Sequence, residues 1–375
     1  RNAKDEDVGR RVGLEGHRPV DDERGDVVLG PAGAGVSEAG VVCFALDAHA
    51  ADVEVPVEIR GAAVTIIDEG HRYALGALEA EVAAFFGSEA ALFFSAGYAA
   101  NAAMLSTLPQ RGDLIVHDEL VHASMHEGLR LTRATAVSAA HNDPQAFDDA
   151  AREWRARGNT GRIWLAFETL YSMDGDIAPI DEFAAVAARH DAIMFIDEAH
   201  ATGIFGRDGR GVAGHLEGRP DTVILRTCGK ALGCEGALVL GPRVVRDFLV
   251  NRGRAFIFST APSPLVCAAV REAIRMLADE PGRRDRLSVL VRHAEARLAP
   301  LGVEPSGSQI LPLILHDDAR TMSVADKLQQ AGFDVRGIRP PTVPQGTSRL
   351  RISLTLNATS NDVDALASAL EEILT

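Results

Sequence analysis

Residues 192–203, AIMFIDEAHATG, join a short apolar run to an abruptly polar end. An apolar run of this length is typical of a strand buried in a parallel sheet. Because a carboxylate at the end of a buried strand is costly to desolvate unless a cation meets it, Asp197 and the nearby His200 are candidate site residues. On this segment alone, however, a role as caps of the following turn is favoured for both residues.

Alternating strand and helix patterns extend outward from this segment, from about residue 75 to about residue 240. The predicted strands lie at 90–94, 113–117, 135–138, 162–167, 192–196, 222–226 and 236–240. This order predicts an α/β fold with a mainly parallel sheet covered by helices on both faces. Longer helical patterns follow Pro262 and indicate an α+β layout, so we predict a large domain at 73–264 and a smaller one at 265–375.

The charge and composition of the chain exclude several kinds of partner and several classes of protein. In 375 residues, 53 acidic against 38 basic side chains give a net charge of −15. Such a surface repels nucleic-acid phosphates and anionic lipid, so we expect neither nucleic acid nor a membrane as a partner. No apolar run approaches the ~18 residues that span a bilayer, and the first residues lack the apolar core of a secretory signal, which together favour a cytoplasmic protein. With four cysteines and no CxxC motif, neither a disulfide framework nor a metal site is expected.

Lysine is unusually rare in this chain. Of the 38 basic residues, only Lys4, Lys230 and Lys327 are lysines, and all the others are arginines. Where a plain positive charge suffices, arginine has replaced lysine, so a remaining lysine is a candidate for amine chemistry that arginine cannot supply. Lys4 lies in a charged terminal stretch and Lys327 on a helix face that is predicted to be exposed, whereas Lys230 lies in a glycine-rich segment between two predicted strands.

A third feature lies at residues 95–101, SAGYAAN, between a predicted strand and a predicted helix. Backbone N–H groups at a helix N-terminus bind phosphate, and Gly97 permits a close approach. Each feature is weak alone, and a histidine just after a strand, such as His122, is more often a cap than a catalytic group. Together, a lysine, a strand-end aspartate and a phosphate cradle match the needs of pyridoxal phosphate, whose aldehyde forms a Schiff base with lysine and whose protonated pyridine nitrogen pairs with aspartate.

The segments 171–179 (YSMDGDIAP), 197–203 (DEAHATG) and 227–230 (TCGK) resemble the α-oxoamine synthases. These pyridoxal-phosphate enzymes condense an amino acid with an acyl thioester and release CO2. The segments 338–344 (IRPPTVP) and 349–352 (RLRI) are most similar to the 8-amino-7-oxononanoate synthase branch of that family. The resemblance implies an aspartate-aminotransferase-like fold, a smaller α+β C-terminal domain and a homodimer.

The resemblance also implies catalytic roles for four residues. Lys230 forms the covalent link to pyridoxal phosphate and then removes the α-proton of the amino acid. Asp197 pairs with the pyridine nitrogen of the cofactor, and His200 pairs with its phenolic oxygen. His122 stacks on the face of the ring.

Five further residues match cofactor-binding positions of the family. Gly97 and Tyr98 donate backbone N–H groups to the cofactor phosphate, and Thr227 lies close to it. Ser259 and Thr260 match a segment that reaches the phosphate from the partner subunit.

The remaining matches concern the substrates. Ser172 is implied to lie near the phenolic oxygen or the thioester carbonyl, and Arg351 to hold the carboxylate of the amino acid. Arg339 is a substrate-binding candidate because other branches usually carry an aromatic residue at its position. Glu168 and Asn142 match family positions for which only supporting roles are assigned.

The implied reaction joins L-alanine to a pimeloyl thioester of acyl carrier protein or coenzyme A, giving 8-amino-7-oxononanoate, CO2 and the free thiol. One alternative is another α-oxoamine synthase that uses glycine or serine with a different acyl-CoA. A second is a catalytically impaired homologue, and an aminotransferase is less favoured because it needs no acyl site. The impaired homologue stays open because residues 1–72 lack the NDYLG and GSGGSR motifs of the family and form an atypical N-terminal segment.

Overall fold

The computed structural model describes residues 69–375, with side chains from Tyr73 onward, and the backbones of four short strands before them. Strands β1 (Gly35–Val36) and β2 (Val42–Cys43) pair antiparallel, as do β3 (Glu58–Arg60) and β4 (Ala63–Thr65). The prediction of an atypical segment over 1–72 otherwise lies outside the described residues.

A seven-stranded sheet forms the centre of the fold. Its members in chain order are β5 (Ala90–Phe94), β6 (Leu114–Asp118), β7 (Thr135–Ala139), β8 (Ile163–Glu168), β9 (Ile193–Asp197), β10 (Thr222–Thr227) and β11 (Ala237–Gly241). In space the order is β5-β11-β10-β9-β8-β6-β7, in which only β11 runs antiparallel to its neighbours. The predicted mainly parallel sheet is therefore confirmed, and its strand ends differ from the predicted ones by about one residue.

Helices cover both faces of this sheet. They are α1 (Glu69–Phe86), α2 (Gly97–Thr107), α3 (Ala123–Leu131), α4 (Pro144–Ala156), α5 (Ile180–His190), α6 (Arg243–Arg252), α7 (Arg254–Ile257) and α8 (Pro264–Asp279). Because side chains alternate along a strand, Ile196 packs into the core under α4 and α5, whereas Phe195 packs into the core under α2. Asp143, which is followed by Pro144 in the first turn, caps α4 by accepting from the N–H groups of Gln145 and Ala146.

A separate antiparallel sheet follows in the C-terminal part, in the order β12-β14-β13. Its strands and helices are α9 (Gly282–Leu298), β12 (Ile310–His316), α10 (Asp318–Gln330), β13 (Arg336–Ile338), β14 (Ser348–Ser353) and α11 (Ser360–Leu374). They enclose a hydrophobic core of their own, in which Leu313, Leu350 and Ala367 are buried. The α+β layout agrees with the sequence, and the domain boundary between 264 and 265 stays a prediction. No helix of the described residues is long and apolar enough to cross a membrane.

Arg226 of β10 is a fully buried cation that the strand pattern did not reveal. Its guanidinium forms ion pairs with Glu217 at 2.9 Å and Glu198 at 3.4 Å, and it lies 4.0 Å from the ring centre of Phe86. A side chain at Gly211 would collide with the same Glu198, which explains a glycine in this loop. Charge pairing and stacking therefore stabilise a site where an uncompensated charge would be costly.

The sheet brings the chemically interesting strand ends to one edge. Glu168, the last residue of β8, is paired in register with Asp197, the last residue of β9. Thr227 ends the neighbouring parallel strand β10. In α/β sheets of this kind, ligands bind beyond the carboxyl ends of the parallel strands, and the candidate site lies there.

Candidate active site

A cavity of about 380 Å³ lies at this edge of the sheet. Seven of the predicted site residues line it: Gly97, Tyr98, His122, Asp197, His200, Thr227 and Lys230. Segments far apart in the sequence thus converge, as the combined interpretation of the lysine, the aspartate and the glycine-rich turn requires. Asn101, Ser124 and Glu168 also line the cavity.

Two further predicted residues line cavities next to this one. Arg351 lines a neighbouring cavity of about 740 Å³, which shares His200 and Lys230 with the first. Ser172 lines a third cavity that shares His122, and its carbonyl oxygen accepts from Nε of Arg351 at 2.5 Å.

Like Arg351 and Ser172, three further predicted residues do not line the 380 Å³ cavity in this chain. Ser259 and Thr260 are exposed and line a cavity that meets the first one at Ser95. Arg339 is exposed and lines none of the cavities named here.

Asp197 is the most constrained polar group of the site. It is buried, its Oδ2 accepts from Nδ2 of Asn101 at 2.8 Å, and its Oδ1 accepts from the N–H of Ala199 at 2.8 Å. Burial raises the pKa of Asp197, although these hydrogen bonds favour the carboxylate. A cation placed against this carboxylate would relieve the cost of burying it.

A chain of hydrogen bonds links Asp197 to His122. Asn101 also donates to Oγ of Ser124 at 2.9 Å, and this hydroxyl lies 2.7 Å from Nδ1 of His122. His122 also accepts from the N–H of Ser124, so it caps α3 while its ring lines the cavity. Sequence reasoning missed Asn101 and Ser124; an asparagine among the alanines of α2 is the signal that could have indicated the first.

The two histidines are neutral near pH 7. Burial, together with the nearby positive charges of Lys230 and Arg351, lowers the pKa of His200 to about 3. Burial likewise lowers the pKa of His122. A neutral imidazole can donate one hydrogen bond and accept another, which suits contact with an oxygen of a bound ligand.

The N-terminus of α2 forms the third side of the cavity. Its N-cap residue, Ala96, has no side chain that could accept from the first N–H groups of the helix. A Cβ on Gly97 would lie 2.6 Å from Cγ2 of Thr227, so only glycine permits this close approach of strand and helix. Unsatisfied N–H groups and the helix dipole favour an anion here.

Glu168 is fully buried against the cavity, and its Oε1 has no hydrogen-bond partner among the described residues. Burial, reinforced by the charge of Asp197, raises the pKa of Glu168 well above its ordinary value. A second negative charge beside Asp197 is therefore disfavoured at Glu168, whereas the carboxylate of Asp197 accepts hydrogen bonds from Asn101 and Ala199. This arrangement agrees with the supporting role that the resemblance gives Glu168.

His141, which the sequence did not single out, links two acidic segments next to the site. Its Nδ1 lies 3.0 Å from Asp118 and its Nε2 lies 2.8 Å from Asp176, within the 171–179 segment. Its ring packs edge-on against Tyr171 at 4.4 Å. Asn142, a supporting residue by resemblance, donates to the same Asp176 at 2.5 Å. The network holds in place the segment that carries Ser172.

This network predicts a pH-dependent stability. Burial alone would lower the pKa of His141, but the hydrogen bonds and charges of Asp118 and Asp176 raise it to about 10. The stabilisation is therefore complete below the unfolded value of about 6.5 and is lost as the pH rises through about 10. We expect His141→Gln to lower the free energy of unfolding by about 2 kcal/mol at pH 6.5 and by much less at pH 10.

Urea denaturation of both proteins at the two pH values checks this expectation. His316→Gln, at an exposed histidine, serves as the matched control. An equal loss of stability at pH 6.5 and pH 10 would show that His141 acts without its charge.

Comparison with known proteins now places the chain. The family model "Aminotransferase class I and II" matches residues 60–370. The 8-amino-7-oxononanoate synthase of Anaeromyxobacter dehalogenans is 43% identical over 303 residues, which cover 80% of this chain and 75% of that protein. The chain belongs to the α-oxoamine synthases, within the class I and II aminotransferases.

Other α-oxoamine synthases agree with this assignment. The 8-amino-7-oxononanoate synthase of Alkalilimnicola ehrlichii is 39% identical and covers 84% of this chain and 80% of its own length. Among solved structures, the serine palmitoyltransferase of Sphingomonas wittichii matches with a TM-score of 0.75 and 32% identity, covering 82% of this chain and 76% of that chain. The 8-amino-7-oxononanoate synthase of Francisella tularensis matches with a TM-score of 0.70 and 25% identity, and the match covers 80% of this chain and 87% of that chain. The aspartate-aminotransferase-like fold is confirmed.

The cavity fits pyridoxal phosphate, the cofactor of the α-oxoamine synthases. A phosphate can meet the N-terminus of α2, where Gly97 lets the helix lie close to Thr227 at the wall of the cavity. A protonated pyridine nitrogen can pair with the buried Asp197, and an aldehyde can reach Lys230 within the same cavity. Anion site, buried carboxylate and amine thus offer one partner for each polar end of the cofactor.

Proposed function

We propose that this chain is a transferase that uses pyridoxal phosphate to condense L-alanine with a pimeloyl thioester. The products are 8-amino-7-oxononanoate, CO2 and the free thiol, and the reaction is a step of biotin synthesis. The convergence of Lys230, Asp197 and His200 on one cavity carries the proposal. The 43% identity to an 8-amino-7-oxononanoate synthase favours this substrate pair over the others used in the family.

Residues of this chain hold the cofactor in the proposed reaction. When bound, pyridoxal phosphate supplies an aldehyde for the amino group of alanine and an electron-poor ring that makes the α-proton acidic. Asp197 would keep a proton on the pyridine nitrogen, and His200 would contact the phenolic oxygen. His122 would pack against the ring, while Gly97, Tyr98 and Thr227 would bind the phosphate.

Lys230 and Arg351 act on the substrates. Arg351 binds the carboxylate of alanine through the guanidinium nitrogens that do not contact Ser172. This binding orients the bond that must break. Burial lowers the pKa of Arg351. Lys230 takes the α-proton, the α-carbon then bonds to the acyl carbon, and the thiol leaves. The carboxylate of alanine is released as CO2 in the last step.

A homodimer is part of the proposal. Ser259 and Thr260 are exposed in this chain and lie beside the cavity that borders Ser95. Their match to a segment that reaches the phosphate from a partner subunit supports a site shared between two subunits. The carrier of the acyl chain in the proposed reaction is acyl carrier protein or coenzyme A. The cytoplasmic location stays a prediction.

Product analysis tests the proposed function. Purified protein with added pyridoxal phosphate is incubated with alanine, glycine or serine and with pimeloyl, acetyl or palmitoyl thioesters. We expect the highest kcat/KM for alanine with a pimeloyl thioester and a product with the mass of 8-amino-7-oxononanoate. Preference for serine with a palmitoyl thioester would indicate another branch, and no product from any pair would indicate an impaired homologue.

A further inference from the structure

The 740 Å³ cavity beside the candidate site is larger than alanine needs. It begins at Lys230 and His200 and extends to the first turn of α9. Apolar side chains make up much of its wall: Ile204, Ala273, Met276, Leu277, Leu287 and Leu354. A wall of this kind suits a chain of methylene groups, whose transfer out of water contributes about 0.8 kcal/mol per CH2.

Gly203 keeps the cavity open between its two ends. A Cβ on this residue would lie 2.8 Å from Cβ of Ala231, next to Lys230, and 3.5 Å from Cδ2 of Leu277. The carbonyl oxygen of Leu277 in turn accepts from Nη1 of Arg284 at 2.6 Å. The open space therefore leads from Lys230 past Gly203 and Leu277 to Arg284.

The charges on the cavity wall are arranged unevenly. Glu280, the one acidic residue that lines the described cavity, pairs with Arg283 at 2.6 Å. Within the part of the chain that the structure describes, Arg284 and Arg351 have backbone carbonyl partners and form no ion pair with a carboxylate. The wall of this cavity thus carries two arginines, Arg284 and Arg351, that have no carboxylate partner among the described residues.

We propose that Arg284 binds the terminal carboxylate of the acyl chain and thereby selects a dicarboxylic acyl group. The inference rests on the proposed function, in which two carboxylates enter this site. Arg351 takes the carboxylate of alanine beside Lys230, and Arg284 takes the far end of the pimeloyl chain. The half-buried guanidinium of Arg284 keeps its other nitrogens available for a paired hydrogen bond with a carboxylate.

Calorimetric binding to the holoenzyme without alanine tests this role, because no turnover is needed. The probes are pimeloyl and heptanoyl thioesters, which differ in the terminal carboxylate, each on coenzyme A and on acyl carrier protein. We expect the native chain to bind the pimeloyl thioester at least about tenfold more tightly than the heptanoyl thioester. Arg284→Met should remove this preference and leave heptanoyl binding unchanged, and Arg284→Lys should restore part of it.

Two matched variants separate this role from a general effect of charge. Arg286→Met removes an exposed arginine of the same helix, and Arg339→Met removes the arginine that the sequence suggested; both should keep the preference. An unchanged preference in Arg284→Met, or its loss in Arg339→Met, would overturn the inference while leaving the proposed function intact. Failure of the native chain to bind any pimeloyl thioester would overturn both.

Discussion

Replacement of Lys230 by alanine should abolish condensation of alanine with the pimeloyl thioester. In the proposed reaction Lys230 combines two tasks, because it holds the cofactor covalently and takes the α-proton. A general base alone typically contributes about 10²–10⁴ in rate, so we expect kcat to fall by at least about 10⁴-fold. Steady-state assays with product detection by mass spectrometry measure this loss.

Two variants make the result specific to the amine. Lys230→Arg keeps the positive charge but not the amine chemistry, and it should be as inactive as the alanine variant. Lys327→Ala removes an exposed lysine of α10 and should keep the activity of the native chain. Activity of Lys230→Ala within tenfold of the native value would contradict the role assigned to this residue.

The second large effect concerns Asp197. Asp197→Asn keeps the size of the side chain and a hydrogen-bonding oxygen but removes the charge that, in the proposed reaction, pairs with the protonated pyridine nitrogen. Loss of one preorganised electrostatic partner costs about 10²–10³ in kcat, and we expect a fall of that size. Asn101→Ala removes one hydrogen bond to Asp197 and leaves the charge of Asp197 in place, so its kcat should fall by about tenfold.

Circular dichroism of both variants serves as the control for folding. Because the site is at the edge of the sheet, both variants should keep the far-ultraviolet spectrum of the native chain. A kcat of Asp197→Asn near the native value, in a folded protein, would show that the charge at this position does not matter for the reaction.

Much of the fold could be predicted because local signals agreed with the tertiary structure. The apolar strands of the large sheet are nearly continuous because both of their faces are buried, and β5 begins and ends as predicted. The Asp143–Pro144 pair marks the start of α4 through a cap and a proline. Strand β13 was missed because three residues show no measurable alternation, and its pairing with β14 comes from the tertiary structure.

The site could be predicted from the residues only where the residue type itself indicates a particular chemistry. A rare lysine and a strand-end aspartate are visible in the sequence, and the cavity brings Lys230 and Asp197 together. Asn101 and His141 escaped prediction because their importance lies in partners 96 and 35 residues away, Asp197 and Asp176. Such pairings are created by the sheet, and no local spacing encodes them.

Borohydride reduction of the holoenzyme, followed by peptide mapping, tests most directly whether one amine of this chain carries the cofactor. Reduction fixes the cofactor to whichever amine holds it, and mass spectrometry of the peptides locates the added mass. We predict a single modified peptide with the label on Lys230. A label on Lys4 or Lys327, or no labelled peptide at all, would contradict the account.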